Sequence, residues 1–407
     1  MKRGARLTGR GLALVILGGL ASAAAAFIGE RDILWLTLGL TALPVLALLY
    51  LLVAPPRIGH ERTLEPPMMP NGESARIVLR VVNDAPAQSS ALRFNDSADH
   101  AIGGGASFVI ARGFGRWHQA VGYTVEAESR GRFRIGPLTA SATDPFGLAR
   151  RTITSDGEDS TLRVTPRVWP LSELPTGSGL GAAGDATPQR IGQAGTDDVL
   201  VREHRYGDDM RRVHWKLSAK KDDLMVRLEE HPWDPSSTLI VDTRRSAHAD
   251  HGPRGSLEWA VSAVASVATM LLSGRFRLSI VSPSGSVYQS GHSVGPSAGQ
   301  AMIEAMTDLT ASEHGWLGEA FSDPEALGSS ASLVAVTGLL TAADAAALTA
   351  AGAGARSVVA LVPDAERWGS PSDEHEDAVT LLANHGWTLA RYSPGDTVPE
   401  AWARVPR

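Results

Sequence analysis

Two uninterrupted apolar runs dominate the N-terminal end of the chain. Residues 11–29 and 33–54 carry no charged side chain, and only residues 30–32 separate them. A helix needs about 20 apolar residues to cross a bilayer. Both runs are apolar all round, whereas a soluble surface helix is apolar along one stripe. The pattern therefore predicts a two-span transmembrane hairpin over residues 1–56, in contact with lipid through residues 11–54.

Basic residues on both sides of the hairpin predict its orientation. They are Lys2, Arg3, Arg6 and Arg10 before the first run, and Arg57 and Arg62 after the second. By the positive-inside rule, both termini and the soluble part of the chain lie on the cytoplasmic side of the cell membrane. The alternative is a cleavable signal peptide with a small-residue site at 21–23. It is disfavoured because a second apolar run follows almost at once.

Short alternating runs of apolar and polar residues fill residues 57–170. The clearest is SARIVLRVVND at 74–84, whose period of two is typical of a half-buried strand. Gly, Pro, Asn and Asp separate the runs, as they do between strands. Short strands over about 100 residues favour an immunoglobulin-like β-sandwich.

Two stretches of this region predict tight turns. They are SRGRFRIGPL at 129–138 and DPFGLARR at 144–151. In each, Gly and Pro provide the turn conformation, and we expect Phe133 and Phe146 to anchor the turn in the core.

From residue 236 to 407 the pattern changes to alternating strands and helices. Strands are predicted at 238–243, 276–283, 332–340, 357–364 and 388–394, and helices at 256–275, 296–312, 341–353 and 376–386. This alternation predicts a mostly parallel, doubly wound α/β sheet, in which ligands bind at the carboxyl ends of the strands. Residues 171–200 are rich in Gly, Ala, Thr and Pro and predict a flexible linker. Residues 201–235 form a separate, highly charged segment.

Composition removes several classes of function. The formal net charge is −6, which argues against attraction of the whole chain to nucleic acid. The chain has no cysteine, so disulfides, thiolate zinc sites and thiol nucleophiles are excluded. No cofactor is predicted.

Asp242 follows the first predicted strand of the α/β region. In sheets of the von Willebrand A type, this position carries Asp-x-Ser-x-Ser, whose oxygens hold a divalent cation. Asp242 and Ser246 keep that spacing, but Arg244 replaces the middle serine. A second acidic ligand is expected after a later strand, where this chain has Gly338 and its neighbours without a carboxylate. Because a hard cation needs several oxygen ligands at once, we predict a degenerate site in which Asp242 orients loops or pairs with Arg244.

The charged segment at 202–227 offers chemistry of a different kind. It carries eight Lys/Arg and five Asp/Glu, with His204, Asp208, Asp209 and His214 close together in sequence. A hydrolase could use such a cluster for acid–base catalysis. The surrounding cations suit ion pairing better than proton transfer, and the spacings match no zinc pattern. One Trp and one Tyr do not form a stacking platform for nucleic acid. A structural or docking role is therefore preferred.

The same segment resembles the signature of the bacterial domain-of-unknown-function 58 family (DUF58), roughly R-E-Y-x-x-G-D-D-x-R-x-I-x-W-x-x-S-A-R. The matching residues are Arg202, Glu203, Gly207, Asp208, Asp209, Arg211 or Arg212, Trp215, Ser218 and Ala219. The departures are His204 for the usual Tyr and Lys220 for the usual Arg. RGRFRIGPL, DPFGL and the N-terminal hairpin resemble the family as well, so the resemblance covers nearly the whole chain.

The resemblance implies a membrane-anchored protein with a von Willebrand A-like domain. Such proteins are often encoded beside MoxR-type AAA+ ATPases and transglutaminase-like membrane proteins, and no reaction is established for the family. We therefore expect a non-enzymatic interaction or assembly protein that works with a MoxR-type ATPase and docks through the signature residues. The alternatives are a hydrolase that uses the cluster at 204–214 and a divalent-cation-dependent adhesion module.

Overall fold

The computed structural model describes residues 4–53, 57–85, 91–111, 115–172, 201–203, 218–220, 223–227, 236–250, 252–291, 296–321 and 331–406. The chain divides into two units. The first comprises residues 1–167 with 306–308, and the second comprises residues 168–305 with 309–407.

The first unit begins with the predicted helical hairpin. Helix α1 (Gly9–Ile28) and helix α2 (Arg31–Val53) are long and apolar enough to cross a membrane. The Thr8 side chain caps α1 by accepting from the backbone N–H of Gly11 at 3.2 Å. Gly18 lies against Thr41, and a Cβ at Gly18 would come within 2.4 Å of the threonine methyl. A small residue here lets the two helices approach closely, as is common in apolar helix pairs.

Ten strands follow or flank the hairpin: β1 (Arg6–Leu7), β2 (Ile58–Glu65), β3 (Met68–Pro70), β4 (Ser74–Asn83), β5 (Leu92–Ala98), β6 (Ala106–Ile110), β7 (Trp117–Glu126), β8 (Gly131–Thr143), β9 (Ala149–Thr154) and β10 (Ser160–Thr165). Strands β2, β4 and β7 form an antiparallel three-stranded sheet. The other seven form a second sheet in the order β1-β9-β8-β10-β3, with β5 on β8 and β6 on β5. Apolar side chains of both sheets, such as Leu79 and Phe94, belong to one hydrophobic core.

Helix α2 continues into that core at its C-terminal end. Leu51 is fully buried, and the Arg151 guanidinium donates from Nη1 to the carbonyl of Leu51 at 2.8 Å. An arginine at this place satisfies a carbonyl that has no partner within the helix and complements the helix dipole. At the start of α1, the backbone N–H of Thr8 donates to the carbonyl of Leu148 at 2.8 Å. The hairpin and the β-sheets are therefore bonded together at both ends of the hairpin.

The prediction of core anchors is half correct. Phe133 is buried, whereas Phe146 is 70% exposed, so its assignment to the core is wrong. The reason is the turn between β8 and β9. The Asp144 carboxylate accepts from the backbone N–H groups of Phe146 and Ala149, and Gly147 has a φ of 72°. This turn buries the acid and points the intervening Phe146 side chain outward.

A buried ion pair joins the two sheets of the first unit. Arg62 on β2 donates from Nη2 to Asp96 on β5 at 2.6 Å, and both side chains are almost fully buried. The Tyr123 hydroxyl donates to the same carboxylate at 2.6 Å. Burial, and then the hydrogen bond to Asp96, raise the pKa of Tyr123 far above its ordinary value, so it stays a donor.

The second unit contains a six-stranded, mostly parallel sheet, as the alternation of strands and helices predicts. Its strands are β13 (Ser236–Val241), β14 (Arg277–Ser282), β15 (Gly285–Gln289), β16 (Ser332–Val336), β17 (Ser357–Pro363) and β18 (Thr388–Tyr392), in the order β15-β14-β13-β16-β17-β18. All neighbours are parallel except β14 and β15. The edge strand β15 was not predicted, because GSVYQ is short and contains no apolar run. A separate antiparallel pair is formed by β11 (Val201–Glu203) and β12 (Met225–Arg227).

Five helices complete this unit: α3 (Ser256–Ser273), α4 (Pro296–Thr307), α5 (Ala342–Gly352), α6 (Asp373–Asn384) and α7 (Val398–Ala403). Helices α5 and α6 share a hydrophobic core with one set of sheet residues, including Ile240 and Ala335. Helix α3 is also long and apolar enough to cross a membrane, but 72% of its most apolar window is buried within the protein. The corresponding shares are 17% for α1 and 22% for α2, so burial separates this internal helix from the hairpin.

The Arg62–Asp96 pair generates a stability prediction. Changing Asp96→Ala leaves a buried guanidinium without its counterion, which should lower the free energy of unfolding of this unit by about 3–5 kcal/mol. Hydrogen–deuterium exchange of the β2–β4–β7 amides in the intact protein measures the effect. The matched control is Glu61→Ala, which removes the exposed partner of Arg80 in the same sheet. That change should stay within about 1 kcal/mol. Equal effects of the two changes would contradict the prediction.

Candidate functional site

The order of the strands marks one edge of the six-stranded sheet as the place for a site. After β13, the chain continues to β14, which pairs with one side of β13. The later strand β16 pairs with the other side of β13. In open α/β sheets, ligands bind at the carboxyl ends of strands where the order reverses in this way. Asp242 directly follows β13, and Thr337 and Gly338 directly follow β16, so these residues meet at that edge. The backbone N–H of Gly338 donates to Asp242 Oδ2 at 3.1 Å.

The Arg244 guanidinium occupies the centre of this edge. Its Nε donates to Asp242 Oδ1 at 3.0 Å, and its Nη2 donates to Asp242 Oδ2 at 2.8 Å. Its Nη1 donates to Asp344 Oδ2 at 2.9 Å. All three side chains are buried. The predicted pairing of Asp242 with Arg244 is confirmed, and the fork geometry is the strong, bidentate form of a charged hydrogen bond.

Asp344 brings a second carboxylate to the cluster from the start of α5. It forms a capping box with Thr341, whose backbone N–H donates to Asp344 Oδ2 at 3.0 Å. The backbone N–H of Leu317 donates to Oδ1 at 3.0 Å. The contact of Asp344 with Arg244 was not predicted from the sequence. The Asp344 carboxylate already accepts from two backbone N–H groups. Nothing in the sequence indicates that it also binds a third group 100 residues away.

Charge within the cluster is balanced by hydrogen bonds. Two carboxylates face one guanidinium, and the excess negative charge is met by backbone N–H groups of Arg244 and Gly338 at Asp242 and of Leu317 and Thr341 at Asp344. Burial alone would lower the pKa of Arg244, but hydrogen bonds and charge from Asp242, and then from Asp344, raise it above its ordinary value. The guanidinium is therefore a permanent cation.

Position 338 requires glycine because of a close contact, not because of a turn conformation. A Cβ at this position would lie 2.3 Å from the carbonyl oxygen of Ala247, in the loop that follows Asp242. The next backbone N–H, that of Leu339, donates to the same carbonyl at 2.7 Å. A side chain at residue 338, acidic or otherwise, would push the two loops apart. The lack of a carboxylate in the sequence here thus matches a lack of space for one.

Neighbouring polar groups hold the surrounding loops. The Tyr392 hydroxyl donates to the carbonyl of Thr337 at 2.8 Å, and the Tyr392 ring stacks on Trp259 with centroids 3.9 Å apart. His375 Nδ1 accepts from the backbone N–H of Leu340 at 3.0 Å. Its Nε2 must then carry the proton and donate to the carbonyl of Pro363 at 3.1 Å. Burial lowers the pKa of His375, which agrees with this neutral form.

The arrangement of Asp242, Arg244 and Asp344 is a closed cluster of buried ion pairs. Ser246, the other residue of the predicted degenerate site, lies in the short 3-10 helix Arg245–Ala247 with its side chain exposed. Among the residues that the structure describes, no group of three or more His, Cys, Asp and Glu side chains is placed to hold a metal ion. The carboxylate oxygens of Asp242 face the Arg244 guanidinium instead.

The signature residues fall mostly outside the described part of the chain. Gly207, Asp208, Asp209, Arg211, Arg212 and Trp215 lie outside it, as do His204 and His214. Arg202 and Glu203 belong to β11. Ser218 is buried, and its hydroxyl accepts from the backbone N–H of Met225 at 2.8 Å, beside β12. Ser218 therefore has a structural contact, and the docking role of the segment stays a prediction.

The second unit thus contains a mostly parallel α/β sheet, with a guanidinium–carboxylate cluster where such sheets carry their ligand sites. Residues 200–367 match the model of the family described as "Protein of unknown function DUF58". This match covers the signature, β13, the Asp242–Arg244–Asp344 cluster and β17, and it supports the resemblance found from the sequence. No curated protein matches the chain.

Solved structures give only remote similarities. The CARDB domain of a Pyrococcus furiosus protein is 8% identical, with 25% of this chain and 93% of that chain covered and a TM-score of 0.18. The alkylpurine DNA glycosylase AlkC of Pseudomonas fluorescens is 14% identical, with 33% and 40% covered and a TM-score of 0.17. A β-glucosidase of Listeria innocua is 12% identical, with 25% and 16% covered and a TM-score of 0.16. Similarities at this level carry no argument about fold or function.

The cluster generates a second stability prediction. Changing Arg244→Ala leaves two buried carboxylates without their counterion and should destabilise the second unit by about 3–5 kcal/mol at neutral pH. Hydrogen exchange of the β13 and β16 amides measures it. Arg245→Ala is the matched control, because Arg245 pairs with Glu313 at the exposed surface. If Arg245→Ala destabilises this unit as much as Arg244→Ala does, the ion-pair account fails.

Proposed function

We propose that this protein is a membrane-anchored, non-enzymatic interaction or assembly protein of the DUF58 type. In this proposal the α/β unit is a von Willebrand A-like module on the cytoplasmic side of a two-pass anchor. Its partner is a MoxR-type AAA+ ATPase, and a transglutaminase-like membrane protein is a second candidate. No cofactor is required. The β-sheets between anchor and module are assigned to an immunoglobulin-like sandwich.

The observation that carries this proposal is the position of the Arg244 guanidinium. It lies at the carboxyl edge of the central strands, bound by both oxygens of Asp242 and by Asp344. A von Willebrand A module uses this edge to bind its partner through a cation. Here the positive charge belongs to the chain and is buried, so it is present whatever the metal content of the surroundings. We infer that partner binding is independent of divalent cations.

The anchor supports the membrane part of the proposal. Helices α1 and α2 are exposed over most of their most apolar windows, as lipid-facing helices are. The arginines near their outer ends, Arg6, Arg10 and Arg57, favour a cytoplasmic location for both ends of the hairpin.

The two alternatives receive less support. A cation-dependent adhesion module needs open oxygen ligands at Asp242, where Arg244 now lies. A hydrolase would use the Asp and His residues at 204–214, where the many neighbouring Lys and Arg residues in the sequence suit ion pairing better than proton transfer. The interaction protein is therefore the function that we put forward.

Affinity capture tests the partner and the cation independence together. The intact protein, extracted from its native membrane, should retain an AAA+ ATPase equally well in magnesium and in a chelator, in a nucleotide-free buffer. Trp215→Ala in the signature should weaken capture at least several-fold. Lys220→Ala, an exposed change a few residues away, is the control and should capture normally. Recovery of no ATPase above a mock sample would refute the partner assignment, and loss of capture in chelator would refute cation independence.

A gain-of-binding variant tests the role of Arg244 directly. Arg244→Ser removes the internal cation and places a hydroxyl two residues after Asp242 and two before Ser246. We expect this variant to bind Mn²⁺ in electron paramagnetic resonance titrations, because two buried carboxylates then lack a counterion. The unaltered protein should show no binding above that of Arg245→Ser. Equal Mn²⁺ binding by all three proteins would contradict the idea that the guanidinium replaces a metal.

A further inference from the structure

The turn between β8 and β9 presents an exposed aromatic side chain on a rigid base. Asp144, Pro145, Phe146 and Gly147 have the residue preferences of a type I turn followed by a left-handed glycine. The backbone N–H of Gly147 donates to the carbonyl of Asp144 at 3.0 Å. The buried Asp144 carboxylate holds two further amides of the turn. Phe146 is 70% exposed, while its backbone N–H is held by the Asp144 carboxylate.

This turn lies beside the apolar hairpin, within the same unit. Together with Leu43, Leu46, Ala47 and Tyr50 of α2, residues 144–146 line an open apolar cavity of about 320 Å³. The cavity is at the small end of the range for ligand pockets, roughly 300–1,000 Å³. Leu43 and Leu46 are exposed in the structure. The only carboxylate in the lining, that of Asp144, is already bonded to the turn, so the cavity offers mainly apolar contacts.

The depth of the turn follows from the length of α2. Leu46 and Leu43 lie 7 and 10 residues before the last residue of the helix, Val53. At 1.5 Å per residue they are roughly 10 and 15 Å from its end. In the last turn of α2, Leu51 is fully buried in the hydrophobic core of the unit. A membrane surface near Tyr50 would leave Leu51 outside the bilayer and place Phe146, which lines a cavity with Leu43 and Leu46, below that surface.

Aromatic and basic residues agree with this depth. Tyr50 near one end of α2 and Trp35 near the other have the positions of interfacial aromatic belts. They are 15 residues apart, or roughly 22 Å along the helix. On the protein side, Arg6 of β1 pairs in register with Arg150 of β9, two residues beyond the turn. Both side chains are exposed.

We propose that the β8–β9 turn is a third membrane contact, in which Phe146 inserts into the cytoplasmic leaflet. A lipid acyl chain fills the cavity between Phe146 and α2, and Arg6 and Arg150 face the headgroups. This proposal rests on the membrane anchoring proposed above. Lipid is the occupant favoured here because the cavity is continuous with the lipid-facing surface of α2. We call the inserted β8–β9 turn, residues 144–147, the wedge. The wedge would fix the height and tilt of the β-sheets over the bilayer.

The absence of cysteine from the chain permits a direct test. Single cysteines are introduced as Phe146→Cys, Leu17→Cys and Val109→Cys, and each is spin-labelled in the full chain in nanodiscs of phosphatidylcholine with phosphatidylglycerol. Leu17 is 65% exposed near the middle of α1, and Val109 is 56% exposed on β6, so all three positions accept a label. Collisions of the label with oxygen, which concentrates in lipid, are compared with collisions with a water-soluble nickel chelate.

The expected result is an oxygen-to-nickel ratio at position 146 several-fold above that at position 109, with position 17 the deepest. If position 17 is lipid-exposed while the oxygen-to-nickel ratio at position 146 equals that at position 109, insertion of Phe146 is refuted. Membrane anchoring through the hairpin is then still supported. If position 17 is also water-exposed, the anchoring itself fails. Spin–spin broadening at position 146 that disappears on dilution with unlabelled protein would assign the cavity to a second copy of the chain and also overturn the proposal.

Discussion

A guanidinium held between two buried carboxylates connects the loops at the centre of the α/β unit. Asp242 comes from the end of β13, Asp344 from the start of α5, and Arg244 from the loop between β13 and α3. The loop after β16 joins through the N–H of Gly338 and the carbonyl of Leu339. Two stretches of the chain that are distant in sequence, 242–244 and 338–344, thus meet at one charge. Removing any member leaves a buried charge unpaired, so the edge of the sheet behaves as one structural element.

This cluster also limits what the edge can do. A divalent cation at such a place can gain or lose a ligand from a partner, which couples binding to a change of loop position. A guanidinium whose donors are already shared between two carboxylates and a carbonyl has little capacity to take a further ligand. Under the proposed function, the partner would therefore bind the surface of a single loop arrangement rather than a metal ion.

Much of the fold could be predicted from the sequence because its signals are local. The hairpin follows from apolar runs, β4 from strict alternation, and the Thr341 cap from two residues three apart. The pairing of Asp242 with Arg244 was also foreseeable, since they are two residues apart. The contact with Asp344 was not, because it joins residues 100 positions apart and depends on the order of the strands. Likewise, turn composition identified residues 144–147, but the outward direction of Phe146 follows from burial of the Asp144 carboxylate against backbone N–H groups, which composition does not show.

The two-residue strand β1 has a consequence for how the protein is made. Arg6 and Leu7 pair with Arg150 and Ala149, while the two apolar helices between them are synthesised more than ninety residues earlier than β9. If the hairpin enters the bilayer as it leaves the ribosome, β1 lies at the membrane surface before its partner strand β9 has been synthesised. Completion of the first sheet then takes place against the lipid headgroups. The bilayer surface would thus serve as a template on which the soluble sheets are assembled.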